Sequence, residues 1–184
     1  TVWCWGDNQQ GQLGTGDSVD SLLPVAVDTS GGFAGADRLD LGPEHTCAVD
    51  GAGGAWCWGL GDQRRLGNGG NQSVNAPIGV ISVGTALDIA AGTAHGCAVA
   101  GDGTLWCWGD GGSGRLGIGS SPPQADPTAL TAPTGGAAVT AGDAHGCALD
   151  NVGAAWCWGA GTDGQLGDGL GTTQTSAVSV TDPY

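Results

Sequence analysis

The chain has 184 residues, 39 of them Gly, with 18 acidic side chains against four Arg, no Lys, and a formal net charge of −14. Four arginines cannot neutralise many phosphates, so a nucleic-acid backbone or an anionic bilayer is a disfavoured partner. There is no long apolar run of the kind a membrane-spanning helix needs, and residues that favour helices are too scarce to build them, so an all-β chain of many short strands is expected.

In chain order, the first recognisable block is WCWG at Trp3 to Gly6, which returns at Trp56 to Gly59, Trp106 to Gly109 and Trp156 to Gly159, with spacings of 53, 50 and 50 residues. Eight residues after each terminal Gly stands another, in GQLGTG from 11, RRLGNG from 64, GRLGIG from 114 and GQLGDG from 164. Ten residues further comes a short apolar segment: PVAV from 24, PIGV from 77, PTAL from 127 and AVSV from 177. The other half of the unit occurs three times, as LDLGPEHTCAV from Leu39, IAAGTAHGCAV from Ile89 and VTAGDAHGCAL from Val139. The longer first spacing places an insertion in the segment DTSGGFAGA, a connecting loop.

Each full unit thus offers four apolar runs separated by Gly-rich turns. In the first these are Leu39 to Leu41, His45 to Val49, Ala55 to Trp58 and Pro77 to Val80. One four-stranded antiparallel sheet per ~50 residues is the size of a propeller blade. The predicted fold is all-β, a partial β-propeller of about three and a half blades, divided as 1–27 (half blade), 28–80, 81–130 and 131–184. Strand alternation puts the two tryptophans of WCWG on one face and its Cys on the other. Trp3, Trp5, Trp56, Trp58, Trp106, Trp108, Trp156 and Trp158 are the eight Trp of the chain, which has one Phe and one Tyr, so they are expected to form the core.

Cys47 and Cys57, Cys97 and Cys107, and Cys147 and Cys157 fall on the two arms of predicted hairpins. Opposed positions on such arms have the separation a disulfide needs, so three disulfides within blades are expected. Such bonds imply an oxidising compartment and hence a secreted or cell-surface protein. A zinc site would need four converging ligands where each unit has one His and two Cys, so no metal is expected. His45, His95 and His145 are expected to pack beside the disulfides and to hydrogen-bond the backbone of their own or the next blade. Cys4 is left over, a candidate for an intermolecular link.

The combination H-x-C-A-[VL], W-x-W-G and N-x-x-G-Q-L-G-x-G, fullest in WCWGDNQQGQLGTG at 3–16, resembles the repeat of the regulator of chromosome condensation family. The added Cys in both halves resembles secreted bacterial members. The resemblance implies a seven-bladed propeller whose rim loops bind other proteins. It implies no specific activity here, because the matched positions are scaffold. By analogy with the other units, the partner of Cys4 would lie upstream of Thr1. A ring of seven needs ~350 residues at this period. Two readings stay open: a fragment of a longer repeat protein, or a unit that associates into a ring or filament. Residues 1–6 are then expected to pair with another chain or to lack order.

No enzyme activity and no cofactor are expected, since the Gly-rich stretches lack the G-K-[ST] ending of a phosphate loop and the Asp-rich loops lack a D-x-D-x-D-G calcium pattern. Asn71, Gln72 and Ser73 form a glycosylation sequon. Two functions remain. One is an extracellular module binding a protein or glycan through loops 28–36, 70–76, 120–126 and 170–176. The other is a structural subunit that joins copies of itself through open blade edges.

Overall fold

The computed structural model describes residues 1–181 and is all β apart from two short 3-10 turns. Residues 182–184, the end of the last expected blade, lie outside the described residues. In chain order the strands are β1 (Trp3–Gly6), β2 (Ser21–Ala26), β3 (Arg38–Leu41), β4 (His45–Val49), β5 (Ala55–Gly59), β6 (Val74–Gly79) and β7 (Ala86–Ala91). They continue as β8 (His95–Ala100), β9 (Leu105–Gly109), β10 (Gln124–Ala129), β11 (Gly136–Ala141), β12 (His145–Asp150), β13 (Ala155–Gly159) and β14 (Gln174–Ser179). β1 and β2 form a two-stranded sheet; β3 to β6, β7 to β10 and β11 to β14 form three four-stranded sheets with strands in sequence order. All pairings are antiparallel. The arrangement is that of successive propeller blades, with the first strands β3, β7 and β11 lying against one another from sheet to sheet.

The fourth strand of each sheet begins before its apolar segment. Cys57 pairs with Ile78 but Gly59 pairs with Val74, so a bulge takes up the extra residues. The last Gly of WCWG makes this bend: Gly59 has φ +106°, and a Cβ there would stand 2.5 Å from the Glu44 carbonyl.

Neighbouring sheets are locked by the second tryptophan of each WCWG. The indole N–H of Trp58 donates to the carbonyl of Gln12 at 3.0 Å, that of Trp108 to Arg65 at 2.9 Å, and that of Trp158 to Arg115 at 2.9 Å. In each case the acceptor precedes the Leu-Gly pair of the preceding unit, so this segment reaches forward over the next blade. The Gly of that pair is required by contact: a Cβ on Gly14 would lie 2.6 Å from Trp58 Nε1, and one on Gly67 2.8 Å from Trp108 Nε1. Leu13, Leu66 and Leu116 are buried beside these rings, Leu166 is buried in the last unit, and Trp58, Trp108 and Trp158 are fully buried. Between the first two full sheets, Cys47, Val49, Ala55 and Cys57 meet Val83, Ile89, Ala98 and Trp108 in one core cluster.

The first two tryptophans depart from the core expectation. Trp3 is 54% and Trp5 62% exposed. Trp5 is the counterpart of Trp58, but no preceding Leu-Gly segment lies over it among the described residues, so its ring has nothing to pack beneath. The first tryptophan of each later block is half-buried. Trp56 and Trp156 donate to Asp50 and Asp150 Oδ2 at 2.7 and 3.1 Å. In the unit between them Ala100 replaces this Asp, and the buried Nε1 of Trp106 has no hydrogen-bond partner.

Two stability differences are expected. Trp108→Ala removes a fully buried clamp and lowers unfolding free energy by about 3–5 kcal/mol, whereas Trp5→Ala changes it by no more than about 0.5 kcal/mol; urea unfolding followed by circular dichroism measures both. Ala100→Asp supplies the acceptor that Trp106 lacks and raises stability by about 1 kcal/mol. That gain disappears when Trp106→Phe is also present.

Candidate interaction surfaces

The hairpin register β4–β5, β8–β9 and β12–β13 sets Cys47 opposite Cys57, Cys97 opposite Cys107 and Cys147 opposite Cys157. Each pair is joined by a disulfide with Cα atoms 4.1 Å apart. These sulfurs are therefore not nucleophiles or metal ligands. Cys4 is a free thiol, 6% exposed, and burial raises its pKa above the ordinary thiol value.

His45 and His95 are fully buried at the starts of β4 and β8. The expected backbone hydrogen bonds are not made: neither ring nitrogen of either residue has a partner. Gly42 and Gly92 lie against the two rings: a Cβ on either would stand 2.6 and 2.3 Å from Cε1 of His45 and His95. Burial holds His45 at about 3, with Arg65 and His95 adding to the effect, and holds His95 at about 4, with Arg115 the next contributor. Both are neutral packing groups. Among the described residues no cluster of three or more His, Cys, Asp or Glu is placed to hold a metal ion. No helix is long and apolar enough to cross a membrane.

Sequence reading missed the Arg struts. Arg65, a buried side chain, donates to the carbonyls of Thr93 at 2.8 Å and Asp62 at 3.2 Å and pairs with the carboxylates of Asp62 and Glu44. Arg115 repeats this with Asp143 O at 3.2 Å, Gly112 O at 2.9 Å and the Asp110 carboxylate at 3.3 Å. Each Arg thus ties its own loop to the inner turn of the following blade. Asp40 and Asp88 add a second tie, accepting from the amides of Ala91 and Val139 in the next sheet at 2.8 and 3.0 Å. The common R-L-G in two units was a visible signal for the Arg pair; nothing local marked the two Asp.

The four loops do not form one surface. Residues 70–73, 120–123 and 170–173 join third to fourth strands and are largely exposed on the edge that also carries the turns between first and second strands. Loop 28–36 joins β2 to β3 on the opposite edge, with the turns at 50–54, 100–104 and 150–154. The insertion is anchored rather than free: Phe33 is buried, with its ring centroid 5.8 Å from that of Trp56 and 5.5 Å from that of Trp58. Residues 74–76, 124–126 and 174–176 belong to strands β6, β10 and β14. Asn71 and Ser73 of the sequon are exposed.

Beside β1 opens a groove of about 350 Å³, lined among others by Trp3, Cys4, Trp5, Leu39, Leu41 and Pro43. Leu39 is 41% and Leu41 63% exposed, although their counterparts Ile89 and Ala91 are 4% and 5% exposed. A shallower apolar face lies at the other end, where Ala138, Val139, Ala148 and Leu149 border an open hollow.

Stacked four-stranded blades with recurring indole clamps define a β-propeller repeat protein. The regulator of chromosome condensation (RCC1) repeat matches residues 1–49, 52–99 and 102–149, and a second form of it matches 87–115 and 137–165, so the chain belongs to this family. The crystal structure of human WBSCR16 superimposes on 99% of this chain and 48% of its own, with a TM-score of 0.86 and 26% identity. Yeast RCC1 (Prp20), in its complex with Kap60, superimposes with a TM-score of 0.79 at 22% identity over 99% of this chain and 45% of its own. A stretch of 83 residues is 40% identical to the Ultraviolet-B receptor UVR8 of Arabidopsis thaliana, covering 45% of this chain and 19% of that protein. The E3 ubiquitin-protein ligase HERC2 of Homo sapiens is 36% identical over 77 residues, 42% of this chain and 2% of HERC2. The chain spans less than half the length of these solved structures and a fifth or less of these curated relatives.

His45 and His95 set a pH dependence. Their folded values, about 3 and about 4, lie below the ordinary 6.5, so the unfolded chain binds more protons between these limits. Stability is full above pH ~6.5 and declines as pH falls toward ~4. Urea unfolding at constant ionic strength is expected to show a plateau above neutrality and a loss that starts well before the carboxylates titrate.

Proposed function

We propose that this chain is a non-enzymatic, extracellular binding module that holds a protein partner through the loops at its blade edges. The observation that carries this reading is the split between recurring and variable residues. The cysteines, the second tryptophan, the Leu-Gly pair and His45 and His95 of the recurring units are spent inside or between blades, whereas residues 70–73, 120–123 and 170–173 differ from unit to unit and are largely exposed on one edge. A rigid scaffold with variable loops is a frequent arrangement for recognition. The family supports a protein as partner: yeast RCC1 (Prp20) has been solved bound to Kap60, and Prp20p has been studied for binding to Gsp1p and histones. The strongly acidic composition favours a basic patch on the partner. Three disulfides favour an oxidising location.

Replacing 70–73, 120–123 and 170–173 together by Gly-Ser segments is expected to leave the circular dichroism spectrum and unfolding midpoint nearly unchanged. The same replacement abolishes retention of the partner that the intact chain captures from its native extracellular fluid. Retention that survives in the loop variant, or sedimentation showing growth with concentration in place of partner capture, would overturn this reading and favour a self-assembling structural subunit.

A further inference from the structure

One turn on the loop edge carries a side chain where its counterparts carry none. Aligned on WCWG, Arg64 stands at the position of Gly11, Gly114 and Gly164 in the other three units. All four have left-handed backbone, with φ +82° at Gly11, +65° at Arg64, +69° at Gly114 and +79° at Gly164. Glycine adopts this region freely, whereas a residue with a Cβ is strained there. Space is short as well: a Cβ on Gly11 would lie 2.6 Å from Cα of Asn75 in β6, and one on Gly114 2.9 Å from Cα of Thr175 in β14. The 3-10 turn Asp62–Arg64 lies against β10 in the same way. There the residue matching Asn75 and Thr175 is Ala125, the smallest of the three. This unit thus combines the largest residue at the turn with the smallest one opposite it.

No internal ion pair offsets the strain. Arg38 pairs with Asp88, Arg65 with Asp62 and Glu44, and Arg115 with Asp110. Among the described residues, Arg64 alone of the four arginines has no carboxylate partner, in a chain with 18 acidic side chains. Its main-chain amide donates to Asn71 Oδ1 at 3.1 Å, which ties the turn to the exposed loop 70–73. Arg64 is itself exposed on that edge. A strained backbone position with an outward charge and no internal partner marks a contact made with another molecule.

We propose that Arg64 anchors the loop edge to its protein partner by pairing with a single carboxylate set in an otherwise basic or neutral surface of that partner. A guanidinium presents forked N–H donors that match both oxygens of a carboxylate. The net charge of −14 disfavours a polyanion at the same place and selects an isolated carboxylate over a phosphate-rich or sulfate-rich chain. Arginine is also among the residues that most often dominate binding energy at interfaces. The assignment rests on the loop edge being the binding edge, and supplies the residue and the chemistry of the contact.

The test uses the full chain, uniformly labelled for nitrogen NMR, and two synthetic peptides: acetyl-Lys-Gly-Asp-Gly-Lys-amide and the same peptide with Asn in place of Asp. The Arg64 Nε–H signal is expected to titrate with a dissociation constant at least ~10-fold lower for the Asp peptide, the discrimination of a charge-assisted hydrogen-bonded pair. Arg38, exposed but paired with Asp88, is the internal control and moves less. Arg64→Lys loses most of the preference, read from the Asn71 side-chain amide, because an ammonium lacks the fork. Arg64→Gly holds or raises the urea midpoint, since it relieves the strained backbone. A lower midpoint would make Arg64 a structural residue and overturn the assignment. So would equal affinity for the two peptides, an Arg38 response as large as that of Arg64, no response at all, or tighter binding of inorganic sulfate at equal ionic strength. If the loop replacement described above loses the partner while Arg64→Gly keeps it, the Arg64 assignment falls and the binding edge stands. Retention by both variants removes the edge itself.

Discussion

The fold depends on one recurring contact, an indole N–H given by each blade to a main-chain carbonyl of the blade before it. Trp58, Trp108 and Trp158 donate to Gln12, Arg65 and Arg115, and the ring beneath each bond is fully enclosed. A four-stranded sheet of this length has two faces to cover and little side-chain volume with which to do it, because Gly is the commonest residue and the long apolar side chains are few. A Trp placed at the interface supplies volume to two blades at once, and its single polar atom must find a partner once water is excluded. The Leu-Gly segment answers both requirements: Leu fills the space beside the ring, Gly lets the backbone approach, and the carbonyl before them accepts the hydrogen bond.

That contact runs in one direction only. Each blade leans on its predecessor, and among the described residues the ring of Trp5 and the outer face of the last sheet have no such cover. The exposures of Trp5 and Leu149 are the two ends of the same chain of contacts: Trp5 is 62% exposed where Trp58 is 0%, and Leu149 is 46% exposed where Val49 and Val99 are 3% and 0%. The asymmetry also separates the two kinds of stabilisation. The disulfides close loops inside a sheet, where each contributes roughly 2–3 kcal/mol in the chain-entropy model, and none of the three joins one blade to another. Cohesion between blades comes from indoles, Arg struts and apolar contacts.

How much of this could be read from the chain follows from what a repeat encodes. The four-strand unit was legible because WCWG, the Leu-Gly pair and H-x-C recur at fixed distances, and the runs from Leu39, His45 and Ala55 lie within one residue of β3, β4 and β5. The start of β6 at Val74 was not, because the register shift between Cys57 and Gly59 takes up Asn75, Ala76 and Pro77, which carry no periodic signal. The cores around Trp58 and Trp108 were legible from scarcity of other large side chains; the exposure of Trp3 and Trp5 was not, because burial depends on the neighbour and the motif itself is identical. The unpartnered nitrogens of His45 and His95, with Gly42 and Gly92 close against the rings, are likewise a matter of packing that strand patterns do not carry.

The positions that build the propeller and the positions that vary from unit to unit are thereby almost disjoint. Replacing a residue in 70–73 or 120–123 changes an exposed side chain on a loop whose ends are held by β5, β6, β9 and β10, so the chemical character of that edge can vary at little cost in stability. The insertion at 28–36 shows the limit of this freedom. It is the longest connection between sheets, yet it contributes Phe33 to the core against Trp56 and Trp58, where the shorter connections of the following units place Val83 and Pro133. An inter-sheet loop in this fold can lengthen on its exposed arc, but it must still return one apolar side chain to the tryptophans, because the clamp leaves the neighbouring ring open on that side. Freedom to vary is therefore concentrated in the connections between third and fourth strands, which have their own anchor in the Leu-Gly segment.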